Sequence, residues 1–474
     1  MSDILIGTTD AGTVSIPLAM ANRHGLITGA TGSGKSRTLQ ALAEQFSAHG
    51  VPVFLQDVKL DLSGIARPCD PDGKQAERAR DMGLDDWKPQ GCPVRFFDLG
   101  GTCGLPMRTS VHEIGPALLA RILDLNDVQE GVLNICFRWN LDNGTRMMDL
   151  EDLRATLHAM AEDVEDVRIK YGNITPASIG AIQRSILVLD AQGGHCLFGE
   201  HALDLNALLE VRDGRGVVSM LRADTLMDHP KMYGAFLLYL LSRLFNHLPE
   251  VGDMDKPKLI FAIDEAHALF SHASDRLMEQ IERTVRLIRS KGVGVYFVTQ
   301  NPRDVPDAVA EQLRNRVQHA LNAFTPKAMR GVKAAADTFR PNPSKIPNML
   351  EAIKGLETGR AIAGPLDHQG RPIPAELVRV VPPMSHIGPI SEIERDEIVR
   401  NDPLYERYAT NMTREESFVI FVNRVAPDLV RDREARAAKH REEAEAILEQ
   451  SRTYDDRSLF EKFEDWLGEQ RMQA

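Results

Sequence analysis

The stretch Gly29 to Ser36 (GATGSGKS), close to the start of the sequence, constrains what the chain can fold into more than any other. Glycines in the spacing G-x-x-x-x-G-K-[ST] let a backbone turn its N–H groups onto an anion, but only where a strand enters the loop and a helix leaves it. Both neighbours fit. His24 to Thr28 (HGLIT) reads as a strand, and Leu39, Leu42, Ala43 and Phe46 recur at helical spacing behind the loop. Gly29, Ala30, Thr31, Gly32, Ser33, Gly34, Lys35, Ser36 and Arg37 are therefore expected to hold ATP. Lys35 would reach the outer phosphates and Ser36 would ligate Mg2+.

A second chemical element follows an apolar run. LIFAIDEAH delivers Asp264 to the end of a strand, where its carboxylate would hold the magnesium through water. Glu265 comes next and is the candidate for polarising the attacking water. His267 reads as a packing or coupling residue: the letters DEAH also occur in RNA helicases, but the Ser-Ala-Thr and QRxGR elements those require are missing. In VYFVTQNP a third buried strand ends in Thr299 and Gln300, placing an amide beside the Asp264 strand as a sensor of the outermost phosphate. QLRNRVQHAL offers Arg314 and Arg316 on a segment that could project into a neighbouring subunit's nucleotide, with Arg316 the candidate catalytic arginine. Arg360 in TGRAIAG is a second candidate.

Around these elements apolar strand-like runs alternate with helical patterns, as at Val51 to Val58, Val94 to Phe97 and Gly216 to Leu221. That alternation predicts an α/β fold with a mainly parallel sheet and helices on both faces. Helical periodicity dominates from Val111 to about Gly194, read as an insertion, and charged residues dominate beyond about Pro382, with Arg431 to Gln450 nearly all Arg, Glu, Lys and Ala. The expected organisation is a first part of the nucleotide-binding core over 1–110, a helical insertion over 111–200, the second part of the core over 201–385, and a charged helical C-terminal region over 386–474. Before the phosphate-binding loop there is room only for a short hairpin, so no preceding accessory domain is expected.

Composition limits the setting. A net charge of −12 argues against a generally basic nucleic-acid coat but leaves a local basic channel possible. Cys69, Cys92, Cys103, Cys136 and Cys196 show no CxxC spacing, so reduced thiols are expected rather than zinc or a disulfide framework. The N-terminus lacks a signal-peptide pattern, and the run Ala235 to Phe245 is too short to span a bilayer. A cytoplasmic protein with no membrane segment is the expectation. Without an [NT]KxD segment, guanine reading is not expected.

NRHGLITGATGSGKS, VPVFLQDVKLDLSGIA, LLARILDLNDVQEGVLNICFR, YGNITPASIGAIQRS, DKPKLIFAIDEAH and RLIRSKGVGVYFVTQNP, with QLRNRVQHAL, together resemble the stand-alone bacterial HerA-like ATPases of the YjgR type, within the HerA–FtsK class of P-loop motors. The resemblance spans about residues 5 to 390. It implies a RecA-like core, a ring-shaped homo-oligomer, usually a hexamer, and ATP-driven translocation on double-stranded DNA. Position by position it implies Lys35 and Ser36 as the Walker A pair, Asp264 and Glu265 as the Walker B pair, Gln300 as sensor and Arg316 as arginine finger. It also implies a polar pair, Asp57 and Lys59, after the second strand. Leu60 stands where that family tends to have glycine. HerA proper has an N-terminal barrel for its nuclease partner, and FtsK has membrane helices and a winged domain; neither pattern is found in the sequence. The competing function is an ATP-dependent protein-assembly or secretion-type remodelling machine with no DNA track.

Overall fold

The computed structural model describes residues 3–409 apart from 100, 102, 200–202, 228, 229, 271 and 272. The charged run Arg431 to Gln450 lies outside the described residues.

Fourteen strands are described: β1 (Asp3–Thr9), β2 (Gly12–Pro17), β3 (Gly25–Thr28), β4 (Val53–Asp57), β5 (Val94–Asp98), β6 (Leu105–Pro106), β7 (Val211–Arg212), β8 (Arg215–Gly216), β9 (Val218–Arg222), β10 (Leu259–Ile263), β11 (Val293–Thr299), β12 (Asn315–Gln318), β13 (Arg360–Gly364) and β14 (Glu376–Val380). β7 and β8 form a separate small hairpin. The other twelve form one sheet in the order β2-β1-β14-β13-β12-β3-β11-β10-β4-β9-β5-β6. From β12 through β6 every neighbour is parallel. From β12 outward through β13, β14, β1 and β2 every neighbour is antiparallel.

Burial explains why the two halves look so different in sequence. Helices cover both faces of the parallel half, so all residues of β4, β5, β10 and β11 are buried and the strands read as unbroken apolar runs. The antiparallel half is partly solvated. β1 and β14 accordingly mix buried with half-exposed positions.

Helix α1 (Lys35–Ala48) leaves the phosphate-binding loop and buries Leu39, Leu42 and Phe46 beneath the sheet. Between β6 and β7 come helices at Val111–Ile122, Asp127–Asp142, Leu150–Glu162, Val164–Tyr171, Pro176–Ala191 and Gly194–Leu197. Their starts are written in the sequence. Ser110 and Thr175 each accept the N–H three residues on, Asn126 with Gln129 and Asp149 with Asp152 close reciprocal capping boxes, and Pro176 takes the first helical position. The apolar run Ala235 to Phe245 lies in the helix Pro230–His247, where Tyr233, Phe236, Leu237, Leu240 and Leu244 are fully buried. Among the described residues no helix is long and apolar enough to cross a membrane.

The chain after β14 returns across the sheet. Helix Glu392–Arg400 packs on β5. The fully buried Arg95 of β5 donates from Nε to Asp402 Oδ2 at 2.9 Å and from Nη1 to the Ala207 carbonyl at 2.9 Å. Before that helix, backbone N–H groups of Met384 and Ser385 donate to the Glu44 carboxylate of α1 at 2.6 and 3.1 Å, joined by the Ser385 hydroxyl.

Glu44 makes a pH prediction. Burial pushes its carboxyl up to about 7, against the bonds from Ser385 and Met384 that favour the ionised form. The folded protein thus keeps a proton that the unfolded chain releases near the ordinary value of 4.5, so stability falls as pH rises through this window. Glu44→Gln should remove that fall. Comparing urea unfolding at about pH 5 and about pH 8, the wild type should lose on the order of 1 to 3 kcal/mol more than the variant; equal losses would contradict the assignment.

Candidate active site

Parallel strands deliver their C-terminal ends to one edge of the sheet. β3 leads into the phosphate-binding loop, β11 pairs on one side of β3 with Thr299 opposite Thr28, and β10 pairs with the far side of β11. The strand that leads into Gln300 therefore stands between the Lys35 loop and the Asp264–Glu265 loop. β12 closes the other side of β3, with Gln318 opposite Thr28 and their side chains hydrogen-bonded.

In the loop, Gly29 N–H donates to the Thr299 carbonyl at 3.3 Å and Ala30 N–H to Ala320 at 2.7 Å, pinning it to both neighbouring strands. Gly34 adopts φ 112°, which an L residue avoids, and precedes the first turn of α1. A Cβ on Gly29 would lie 2.5 Å from the Cβ of His319 and 2.6 Å from Ser33 Oγ. Lys35 Nζ donates to the Ala30 carbonyl at 3.0 Å, and burial, aided by the Lys59 charge and opposed by Glu265, lowers its pKa. Ser36 follows on α1, half-buried. Arg37 turns instead to the loop after β4, with Nη2 2.6 Å from Asp61 Oδ2 and Nη1 2.8 Å from Gln40.

Asp264 is buried at the end of β10. One carboxylate oxygen accepts the Glu265 N–H at 2.9 Å, and the other is buried with no partner among the described residues. Burial, then repulsion from Glu265, pushes its pKa up to about 6. An orphaned buried carboxylate oxygen one loop away from Ser36 suits a hydrated divalent cation, which is the group the phosphate-binding motif calls for. Asp264 and Ser36 would hold Mg2+ there.

Glu265 has φ 49°, a left-handed conformation costly for a glutamate. Its side chain, 5% exposed, meets Lys59 Nζ at 2.5 Å, His267 Nδ1 at 3.3 Å and Gln300 Nε2 at 3.3 Å. Burial raises its pKa, but the hydrogen bond and charge of Lys59, with Gln300 and His267, outweigh this and hold the carboxylate ionised. The same partnership lifts Lys59 above the ordinary lysine value despite its own desolvation. Gln300 also accepts from Thr31 Oγ1 at 3.2 Å, so one amide joins the phosphate-binding loop to the candidate base.

Several of these contacts were not expected from sequence. Lys59 stood only as half of a polar pair, yet it is the counter-charge of Glu265. Its partner Asp57 holds the loop's shape, accepting from the Asp61 and Leu62 N–H groups at 3.1 Å each. Directly after Lys59, Leu60 takes φ 57°, a conformation glycine adopts most readily, which suits the glycine of the resembling family at this place. His319 was missed. It lies buried against Gly29 and Gly34 and meets Thr38 Oγ1 at 2.8 Å through Nε2. The sequence signalled it weakly, because β12 (NRVQ) has a single apolar residue, Val317, unlike the apolar run that ends in Thr299.

Arg316 corrects an expectation. It lies inside β12 opposite Leu26 rather than on a projecting segment, and its guanidinium donates to the Ala310 carbonyl at 2.7 Å. Strand pairing draws this segment into the sheet, and burial pushes the arginine's pKa down to about 10. Arg314 is exposed, but at the opposite edge from the phosphate-binding loop. Arg360 begins β13, which is antiparallel to β12, and so stands at the loop's own edge, 3.6 Å from Glu357.

The sequence from residue 3 to residue 463 matches the family model described as Helicase HerA-like C-terminal. The chain belongs to this family. No curated protein matches the sequence. Among solved structures this HerA-like chain is similar to the bacterial conjugative coupling protein TrwBdeltaN70, with 16% identity over 80% of this chain and 90% of that chain and a TM-score of 0.53. VirB4 of Thermoanaerobacter pseudethanolicus gives 14% identity over 80% and 96%, with a TM-score of 0.51. TrwB in complex with ADP and Mg2+ gives 15% identity over 81% and 91%, with a TM-score of 0.53. At such identities the likeness is one of fold, a RecA-like core; membership of the HerA-like family rests on the family model.

The crowding at Gly29 is testable in this HerA-like chain. Gly29→Ala should force His319 and the loop apart and weaken binding of a fluorescent ATP analogue by about tenfold or more, on the order of 1.4 kcal/mol. Unchanged affinity would mean that the loop tolerates a Cβ there.

Proposed function

We propose that this HerA-like protein is a MgATP-hydrolysing motor that assembles as a ring, six copies in the arrangement its resemblance implies, and moves along double-stranded DNA. The observation that carries the chemistry is the meeting of Lys35, Asp264, Glu265 and Gln300 at the shared edge of β3, β11 and β10. MgATP, when bound, supplies the reactive phosphoanhydride and the cation that neutralises it. Lys35 would exchange the Ala30 carbonyl for the outer phosphates, while Ser36 and the second oxygen of Asp264 would hold Mg2+. Glu265 is ionised and accepts a proton from water or orients it. Gln300 fixes that carboxylate and ties it to Thr31, so it links the occupancy of the loop to the position of the base.

Lys35→Ala should abolish turnover. Glu265→Gln should bind ATP and hydrolyse it at least about a hundredfold more slowly, the usual scale for losing general-base assistance. A steady-state ATPase assay with equilibrium nucleotide binding checks both, and normal turnover in either protein would remove the role given to that residue.

The track rests on the family description, which names a helicase, and on the fold shared with a coupling protein. Linear double-stranded DNA should stimulate the ATPase at low salt and lose its effect as salt rises, because phosphate contacts release counterions. A rate indifferent to DNA at every salt concentration would leave the ATPase standing and point to a protein track, as for a secretion-type machine.

A further inference from the structure

The Lys59–Glu265 contact raises a question that the hydrolytic reading leaves open. A base must offer a free oxygen to water, yet both oxygens of Glu265 are engaged, Oε1 by Lys59 at 2.5 Å and Oε2 by Gln300 at 3.3 Å and His267 at 3.3 Å. Of these partners Lys59 holds the strongest grip, being a full cation at the shortest distance on a buried carboxylate. It is also the less buried of the pair, with its side chain 40% exposed. An ammonium has three donors, and one is committed here.

We propose that Lys59 is a positioning residue that exchanges between two anions, the Glu265 carboxylate and the terminal phosphate of a bound triphosphate, so that arrival of that phosphate releases an oxygen of Glu265 for water. The inference rests on the role given to Glu265 above. The surrounding charges make the exchange feasible. Asp264 and Lys35 lie close enough to act electrostatically on Glu265 and Lys59, so a cationic pair and an acidic pair share one small volume. A phosphate added on the lysine side gives Lys59 a second acceptor of higher charge. The lysine sits on a short loop between the buried strand end at Asp57 and the Arg37–Asp61 ion pair, with Leu60 at φ 57° beside it, so the loop is held at both ends while its side chain stays partly exposed.

Exchange has a binding signature distinct from simple structural support. Equilibrium titrations with ADP and with the β,γ-imido analogue of ATP, each with Mg2+, would be made on wild type, Lys59→Met, Lys59→Arg, Glu265→Gln and the Lys59→Met/Glu265→Gln double variant. Lys59→Met should weaken the triphosphate analogue by about tenfold or more while changing ADP by less than about twofold, and Lys59→Arg should keep most of the discrimination. Glu265→Gln, which removes the competing anion, should tighten the triphosphate analogue several-fold over ADP, roughly the worth of one charge-assisted contact. That gain should vanish in the double variant.

Equal weakening of both nucleotides by Lys59→Met, or no weakening, would overturn the exchange, as would a Glu265→Gln gain that persists without Lys59. Should thermal melts show that Lys59→Met is unfolded, the Glu265→Gln arm decides alone, and equal affinity change for the two nucleotides refutes the proposal. Turnover by Glu265→Gln tests the base itself separately: normal hydrolysis with the expected binding pattern would sink the base and keep the exchange.

Discussion

Parallel pairing of β3, β11 and β10 is the constraint on which the rest depends. Strands that run the same way must each be followed by a crossover, and every crossover leaves from the same edge. The phosphate-binding loop, the Gln300 loop and the Asp264–Glu265 loop are brought together by that rule although nearly the whole length of the core separates them in sequence. Their register is fixed by fully buried strands, where a slip of one residue would exchange the environments of every side chain. The antiparallel extension through β13, β14, β1 and β2 widens the sheet without adding to this edge, except that β13 starts there and brings Arg360 with it.

Electrostatics at the edge is a balance of like and unlike charges in little water. Two neighbouring acids are buried side by side, and two lysines from different strands' loops compensate them. The outcome differs between the acids: Asp264 is left with an oxygen short of a partner and a raised pKa, whereas Glu265 is surrounded by donors and stays ionised. That division suits one residue to a cation and the other to water.

Much of the core was readable in the sequence because buried parallel strands are continuous apolar runs and because helix starts carry caps. The phosphate-binding loop and the Asp264–Glu265 pair were readable because they terminate such runs in polar residues. β13 and β14 were not, since β14 is partly solvated and pairs with a distant segment, residues 7 and 8 lying opposite 380 and 379. The counter-charge at Lys59 was equally hidden: what brings it to Glu265 is the adjacency of β4 and β10, a matter of strand order rather than of spacing. Arg316 shows the converse error, in which a charged residue is assumed to face outward although its neighbours on β3 and β13 pull it into the sheet.

The ion pair between Arg37 and Asp61 has a mechanical meaning. Arg37 belongs to the first turn of α1, and Asp61 closes the loop that carries Lys59. Through it the helix that begins at the phosphates touches the loop that restrains the candidate base directly, without passing through the strands that lie between them in the sheet.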